Sequence, residues 1–260
     1  MRVECGMKRF SGFIHITVLV LLFAAVAAFS VYFYLRLSKE KYSDVSEETM
    51  EATGYVFNKP KKSAHYEGNV PAHGAVLANV PVNVVLDVNF DLAPPSSISV
   101  TREGVEYGLG ETMIDGNKLA MRRAVDIDAP NGLYKVSYQA CWPDGSCHDG
   151  HFEFVIDRAQ LAGFTDMRNK DEVVIRLKDI AFAPLALRIS AGTRVRWLND
   201  DVVEHYVNTD THPAHTYHLP QNSRILQTGE EFSLVFDKKG IYPYHCSAHA
   251  DIMTGAISVE

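Results

Sequence analysis

The chain has 260 residues, of which 47% are hydrophobic and 22% are charged, a composition that is typical of folded protein. This length leaves room for two domains of ordinary size and an appendage. The formal net charge of −7 argues against the basic face that a nucleic-acid partner would need, and we expect no such partner.

An uncharged segment, residues 10–35, is long enough to cross a bilayer as a helix. Arg2, Lys8 and Arg9 precede it, and positive charge on this side predicts a cytoplasmic N-terminus. A cleaved signal peptide is the alternative, but cutting at the small residues 25–27 would leave a hydrophobic new start. We therefore predict that residues 1–36 are a cytoplasmic tip and transmembrane anchor. The protein would be a single-pass cell-membrane protein whose domains lie on the periplasmic or extracellular side.

The next segment, residues 37–70, is polar and charged and is predicted to be a stalk or linker, with plain disorder as the alternative. Residues 71–158 then show short apolar–polar alternation, typical of strands, at 82–90, 97–100, 133–138 and 152–156. Proline, glycine and asparagine separate these runs. Regular short strands with such breaks predict an all-β sandwich.

Two cysteines, Cys141 and Cys147, flank a turn-rich segment between two strand patterns. They could face each other across a hairpin, and an oxidising compartment favours a disulfide between them. Cys5 would be cytoplasmic, and Cys246 is left unpaired, as a metal thiolate requires.

Several features of residues 71–158 are similar to the copper-resistance CopC-like domain: an Ala-His-Gly-Ala start at residue 72, a late Gly-Leu-Tyr strand, and an Asp-Gly followed by histidine. The resemblance implies a second Cu(II) site at His73, Asp144 and His148, with His151 offered by a second Asp-Gly-His frame. The sequence departs from the family pattern at two points. Two residues separate Asp144-Gly145 from His148, and His73 is internal, so it has no free α-amino group to add.

After a predicted connector, residues 159–171, alternation returns throughout residues 172–260. The segment Tyr244 to Met253 places Cys246, His249 and Met253 within eight residues, and His205 follows a Trp-Leu-Asn-Asp-Asp run upstream. One thiolate, two imidazoles and one thioether are the ligand types of a mononuclear copper electron-transfer site. Together the two segments resemble the blue copper cupredoxins of the plastocyanin and amicyanin kind. This resemblance implies one type 1 copper held by His205, Cys246, His249 and Met253.

Other metal sites fit these residues less well. Structural zinc usually takes a closed set of cysteine and histidine, and methionine is a poor zinc ligand. A binuclear copper centre needs two thiolates in one loop, whereas Cys246 stands alone, and the His-x-His pairs of multicopper oxidases are absent from the sequence. With Met253 as the fourth ligand no position is open for substrate. We therefore predict outer-sphere electron transfer and no enzymatic activity.

Three further histidines, His212, His215 and His218, lie in an insertion after the first predicted ligand. They could form an accessory metal site or a docking loop, or they could be a solvated loop, which is the interpretation we favour.

The sequence thus predicts an all-β protein with two Greek-key β-sandwich domains in tandem after an N-terminal transmembrane helix. Its predicted function is one-electron transfer to or from a redox partner protein or a membrane respiratory or copper-enzyme complex. The alternatives are copper storage, delivery or resistance through the CopC-like domain, and a structural subunit of a larger membrane complex.

Overall fold

Strands make up most of the ordered elements in the computed structural model, which describes residues 54–260. The strands of the N-terminal half are β1 (Tyr66–Val70), β2 (Val76–Leu77), β3 (Asn83–Val88), β4 (Ser97–Arg102), β5 (Val105–Glu106), β6 (Gly108–Ile114), β7 (Ala120–Val125), β8 (Gly132–Cys141) and β9 (Cys147–Ile156). Those of the C-terminal half are β10 (Thr165–Asp166), β11 (Glu172–Lys178), β12 (Ala181–Ala183), β13 (Ala186–Ile189), β14 (Thr193–Asn199), β15 (Asn208–Thr209), β16 (Glu231–Phe236), β17 (Gly240–His245) and β18 (Thr254–Val259). Short 3₁₀ helices cover Arg158–Gly163, Leu219–Gln221 and Ser247–His249.

The strands form four sheets. In the N-terminal half the orders are β1-β3-β7-β6 and β2-β9-β8-β4-β5, and in the C-terminal half they are β10-β13-β18-β17-β15 and β12-β11-β14-β16. The buried apolar side chains form two cores: one lies within the N-terminal half, and the other fills the C-terminal half and also includes Val70, Val82, Val85 and Ala120 of the N-terminal half. The all-β prediction is therefore confirmed, while the Greek-key connectivity stays a prediction. The predicted transmembrane helix lies outside the described residues, and no helix within 54–260 is long and apolar enough to span a membrane.

Strand β3 is buried on both of its faces. Side chains alternate across a strand, so Val84 and Leu86 enter the N-terminal core, whereas Val85 belongs to the core of the C-terminal half. This arrangement accounts for the unbroken apolar run that begins at Val84, because a strand covered on both sides does not need a polar face. The two halves consequently share one compact unit, residues 57–260.

A buried tyrosine, Tyr217, makes one of the contacts between the two halves. The Tyr217 hydroxyl accepts a hydrogen bond of 2.8 Å from the Val82 amide and donates one of 2.7 Å to the Ile241 carbonyl. Gly240 lies beside this junction at φ +137°, and a Cβ there would come within 2.6 Å of Val82 Cγ1. Glycine at this position therefore permits both the backbone conformation and the close approach of the two halves.

Several predicted features have a definite place in these residues. Cys141 and Cys147 pair in register across the β8–β9 hairpin and form a disulfide. The segment predicted as a linker, 37–70, contains β1, which pairs with β3. The N-terminal sandwich therefore begins before residue 71. Likewise the predicted connector 159–171 contains β10, which pairs with β13, so part of it belongs to the C-terminal sheet. Neither strand shows a run of alternating apolar residues, because β1 reads Tyr-Glu-Gly-Asn-Val and β10 has only two residues.

Candidate metal centre

Three potential metal ligands meet at one end of the C-terminal sandwich. His205, Cys246 and His249 each offer one ligand atom, and these atoms all lie within 4.8 Å of one another. The Nδ1 atoms of both histidines are 3.6 Å from Cys246 Sγ. His205 and Cys246 are fully buried, whereas His249 is half-buried. The tertiary structure thus brings His205 to the cysteine from 41 residues away along the chain.

Backbone pairing positions these side chains. His205 forms a β-bridge with Leu226, and Cys246 directly follows β17. The 3₁₀ turn Ser247–His249 then reverses the chain, and the Cys246 amide donates to the Met253 carbonyl at 2.9 Å. This closed turn places Met253 beside the other predicted ligands, and its side chain is 1% exposed within the same apolar core.

Polar groups around the three ligands hold them in orientation. Asp201 Oδ2 is 3.2 Å from His205 Nε2, which leaves Nδ1 of His205 facing the cysteine. Hydrogen bonds from the Ile180 and Val202 amides, and then from His205, hold the pKa of the Asp201 carboxyl below its usual range. The Tyr206 amide donates to Cys246 Sγ at 3.3 Å. Asp201 is not among the site residues predicted from the sequence, although it lies only four residues before His205.

The donor set fits copper. One thiolate and two imidazoles, with a buried thioether next to them, are softer ligands than magnesium or calcium prefers. Cys246 is the free cysteine of the described residues, so no disulfide competes for its sulfur.

Comparison with known proteins agrees with copper as the metal. Residues 170–260 match the family model for copper binding proteins of the plastocyanin/azurin family. Halocyanin from Natronomonas pharaonis is 33% identical over 117 residues, which cover 42% of this chain and 70% of halocyanin. The chain belongs to the plastocyanin/azurin family of copper-binding proteins. Chloroplastic plastocyanin from Silene latifolia subsp. alba is 30% identical, over 34% of this chain and 59% of that protein. A purple cupredoxin from Nitrosopumilus maritimus, of known structure, is 31% identical over 34% of this chain and 99% of its own, with a TM-score of 0.31.

Family membership confirms two of the predictions made from the sequence. Copper is the cofactor, and the protein is of the electron-transfer type. Because cupredoxins are electron carriers, the prediction that the protein is not an enzyme is also confirmed.

Residues 66–157 match the family model for the CopC domain, a domain of a copper-binding family. The domain match does not test the predicted second copper site at His73, Asp144, His148 and His151, which stays a prediction. Within residues 54–260 these side chains are absent from the groups of three or more ligands whose donor atoms lie within 4.8 Å of one another.

The strand geometry explains this separation. His148 and His151 are three residues apart on β9, so their side chains leave opposite faces of the strand. Asp144 instead caps the hairpin turn and accepts a hydrogen bond from the Ser146 hydroxyl at 2.7 Å. His73 Nδ1 accepts from the Glu153 amide at 3.2 Å, further along β9.

The histidine-rich insertion divides into two parts. His218 packs between Phe236 and Tyr242, and burial, then Lys238 and Arg122, lowers its pKa to about 4. His212 and His215 instead meet His245, and the ligand atoms of the three lie within 4.8 Å of one another. Burial, followed by the two neighbouring histidines, lowers the pKa of His215 to about 4. The prediction of a solvated loop is therefore wrong for His215 and His218, because the loop folds back onto β17 and the N-terminal sandwich.

Proposed function

We propose that this protein is a membrane-tethered type 1 copper protein that performs outer-sphere one-electron transfer on the outer side of the cell membrane. The observation that carries the proposal is that the Nδ1 atoms of His205 and His249 each lie 3.6 Å from Cys246 Sγ. Together with Met253, these side chains would hold the ion. Copper, when bound by such a set, takes up and gives back one electron.

The residues of the chain determine how such an ion is enclosed. His205 and Cys246 lie at 0% exposure, so water is excluded from that side. The bond between Asp201 and His205 and the amide of Tyr206 on the sulfur fix both ligands before any ion binds. A pre-organised ligand set needs little rearrangement when the charge of the ion changes, and this favours fast electron exchange.

His249 would be the exit for the electron. It is half-buried, and the exposed side chain of Ile252, at 72% exposure, lies in the turn between His249 and Met253. Val202, at 90% exposure, lies in the loop between Asp201 and His205. Both ligand loops thus carry apolar side chains at the surface, which suits transient docking of a redox partner protein. Such a partner would be a soluble carrier or a membrane respiratory or copper-enzyme complex.

The location is proposed from the sequence alone. Residues 10–35 contain no charged residue, and Arg2, Lys8 and Arg9 precede them. Protease treatment of intact cells or spheroplasts, followed by detection of each end of the chain, tests this topology. We expect the C-terminal part to be degraded and the N-terminus to be protected, and the reverse result contradicts the proposal.

Absorption spectroscopy of the full-length chain loaded with Cu(II) tests the copper assignment. We expect an intense visible band from thiolate-to-copper charge transfer and reversible one-electron electrochemistry. Cys246→Ser should abolish the band, whereas Ser247→Ala, at the neighbouring position, should keep it. A copper-loaded wild-type chain without the band would exclude a type 1 centre.

The CopC domain match favours a second candidate, in which the N-terminal sandwich stores or delivers copper. This function predicts tight Cu(II) uptake that survives Cys246→Ser and is lost in His73→Ala or His148→Ala. Unchanged uptake by these two variants would exclude it.

A further inference from the structure

A second group of potential ligands lies outside the proposed copper centre. The rings of His212, His215 and His245 form a nearly equilateral triangle, with centroid separations of 5.5, 5.4 and 5.2 Å. One ring nitrogen of each lies within 4.8 Å of the other two. The three potential ligands are all imidazoles, and rings this close together can coordinate one metal ion.

His245 is the buried member of this group, at 3% exposure. Its Nδ1 atom is 3.0 Å from the Asp210 carboxylate, whereas its Nε2 atom has no hydrogen-bond partner among the described residues. Buried ring nitrogens are normally paired, so this one needs an explanation. A carboxylate on one ring nitrogen of a histidine is the arrangement that fixes the other nitrogen as a metal ligand.

His215 is held in place by several contacts. Its Nδ1 is 3.2 Å from Asn208 Nδ2 and its Nε2 is 3.0 Å from Ser247 Oγ. The Asn222 side chain donates to the His215 carbonyl at 2.9 Å, and His215 itself adopts φ +51°, an uncommon backbone conformation for a residue other than glycine. His215 is therefore positioned by the fold and does not move freely.

The N-terminal sandwich supports the same loop. Asp87 of β3 accepts hydrogen bonds from the hydroxyls of Thr211 at 2.5 Å and Thr216 at 2.6 Å, on either side of the histidines. Arg122 of β7 donates to the Thr216 carbonyl at 3.0 Å. His212 is exposed and would give an ion access from solvent. The loop thus has a rigid base and an open side.

We propose that His212, His215 and His245 form a second metal site, which takes an imidazole-binding transition ion, with Cu(II) bound most tightly. Imidazole ligands suit copper, zinc and nickel, and Cu(II) has the highest affinity in this series. Calcium and magnesium are excluded because they require oxygen ligands. His245 immediately precedes Cys246, so one peptide unit joins this site to the proposed type 1 centre.

Copper binding by the full-length chain tests this proposal. The metal-free protein is titrated with Cu(II), passed through a desalting column, and measured for copper per chain and by electron paramagnetic resonance. We expect His212→Ala and His215→Ala each to lower the affinity for one copper ion by about 10-fold or more. Even residues that only orient metal ligands change metal affinity 10–100-fold. The lost ion should be the one with a tetragonal, nitrogen-coordinated signal.

His218→Phe is the matched control, because His218 lies in the same loop but outside the triangle. This variant should bind as much copper as the wild type. The proposal is overturned if His212→Ala and His215→Ala retain the same copper as the wild type, or if His218→Phe loses an equal amount. Cys246→Ser separates the two sites: it should lose the visible band and keep the nitrogen-coordinated signal, so either site can fail without the other.

Discussion

The carboxylate of Asp87, in the N-terminal sandwich, accepts a 2.6 Å hydrogen bond from the hydroxyl of Thr216, in the histidine loop of the C-terminal half. Asp87 is 2% exposed, and burial raises the pKa of its carboxyl, while the hydroxyls of Thr211 and Thr216 act in the opposite direction. The CopC-like half of the chain therefore acts as a support for the loop beside the metal centre, whether or not it binds copper itself.

Replacing this carboxylate should loosen the loop. Asp87→Ala leaves the buried hydroxyl of Thr216 and the half-buried hydroxyl of Thr211 without their acceptor. An unpaired buried group costs about 1–3 kcal/mol. We expect a lower urea midpoint, and a smaller loss in Asp87→Asn, which keeps one acceptor oxygen. Asp91→Ala, at an exposed position in the same half, is the control and should change little. Equal effects of Asp87→Ala and Asp91→Ala would contradict the support role.

The Tyr217 hydroxyl should contribute to the junction between the two halves. Tyr217→Phe keeps the ring but leaves the Val82 amide and the Ile241 carbonyl unpaired in a buried region. We expect the free energy of unfolding to fall by about 1–3 kcal/mol. Tyr206→Phe removes a hydroxyl from a half-buried tyrosine near the metal centre and is the comparison. If the two variants unfold at the same urea concentration, the bridge contributes nothing.

Asp201 should set the copper affinity without being a ligand. Asp201→Asn weakens the contact that orients His205, and we expect copper affinity to fall about 10–100-fold while the visible band is retained. The neighbouring Asp200→Asn changes a carboxylate that pairs with Arg176 and should leave affinity unchanged. Competition with a copper chelator measures both. Loss of the band in Asp201→Asn would instead indicate that the aspartate shapes the ligand geometry itself.

Stability should decline with acid through His218. Its folded-state pKa of about 4 lies below the ordinary value of 6.5, because burial disfavours the charged ring. The unfolded chain therefore binds this proton first, so the stability contribution is complete above pH 6.5 and is lost as the pH falls toward 4.

His218→Phe keeps an aromatic ring beside Phe236 and Tyr242. It should reduce the slope of stability against pH by the amount that corresponds to one bound proton. The measurement is the urea midpoint between pH 7 and pH 4, which brackets the range of about 6.5 down to 4 where a lowered histidine acts. His148 is exposed, so His148→Phe is the control and should keep the wild-type slope. An unchanged slope in His218→Phe would show that His218 does not carry the acid sensitivity.

The sequence by itself determined the all-β class and the local part of the proposed centre. Cys246, His249 and Met253 lie in one short turn, so their spacing in the sequence predicts that they are close in space. The fourth ligand, His205, was predicted from the strand that contains Trp197 and precedes it. The disulfide between Cys141 and Cys147 could be predicted for the same reason, since one hairpin brings the two cysteines together.

Only the tertiary structure decided the rest. His245 joins His212 because β15 pairs with β17 and the loop folds back, a contact across 33 positions that no local pattern encodes. Strand β3 is covered on both faces only because the two sandwiches pack together, and this packing also aims Asp87 at the histidine loop. Opposite faces of β9 likewise separate His148 from His151, although the two are neighbours in sequence. Alternation along a strand shows that two faces exist, but what covers each face depends on partners far along the chain.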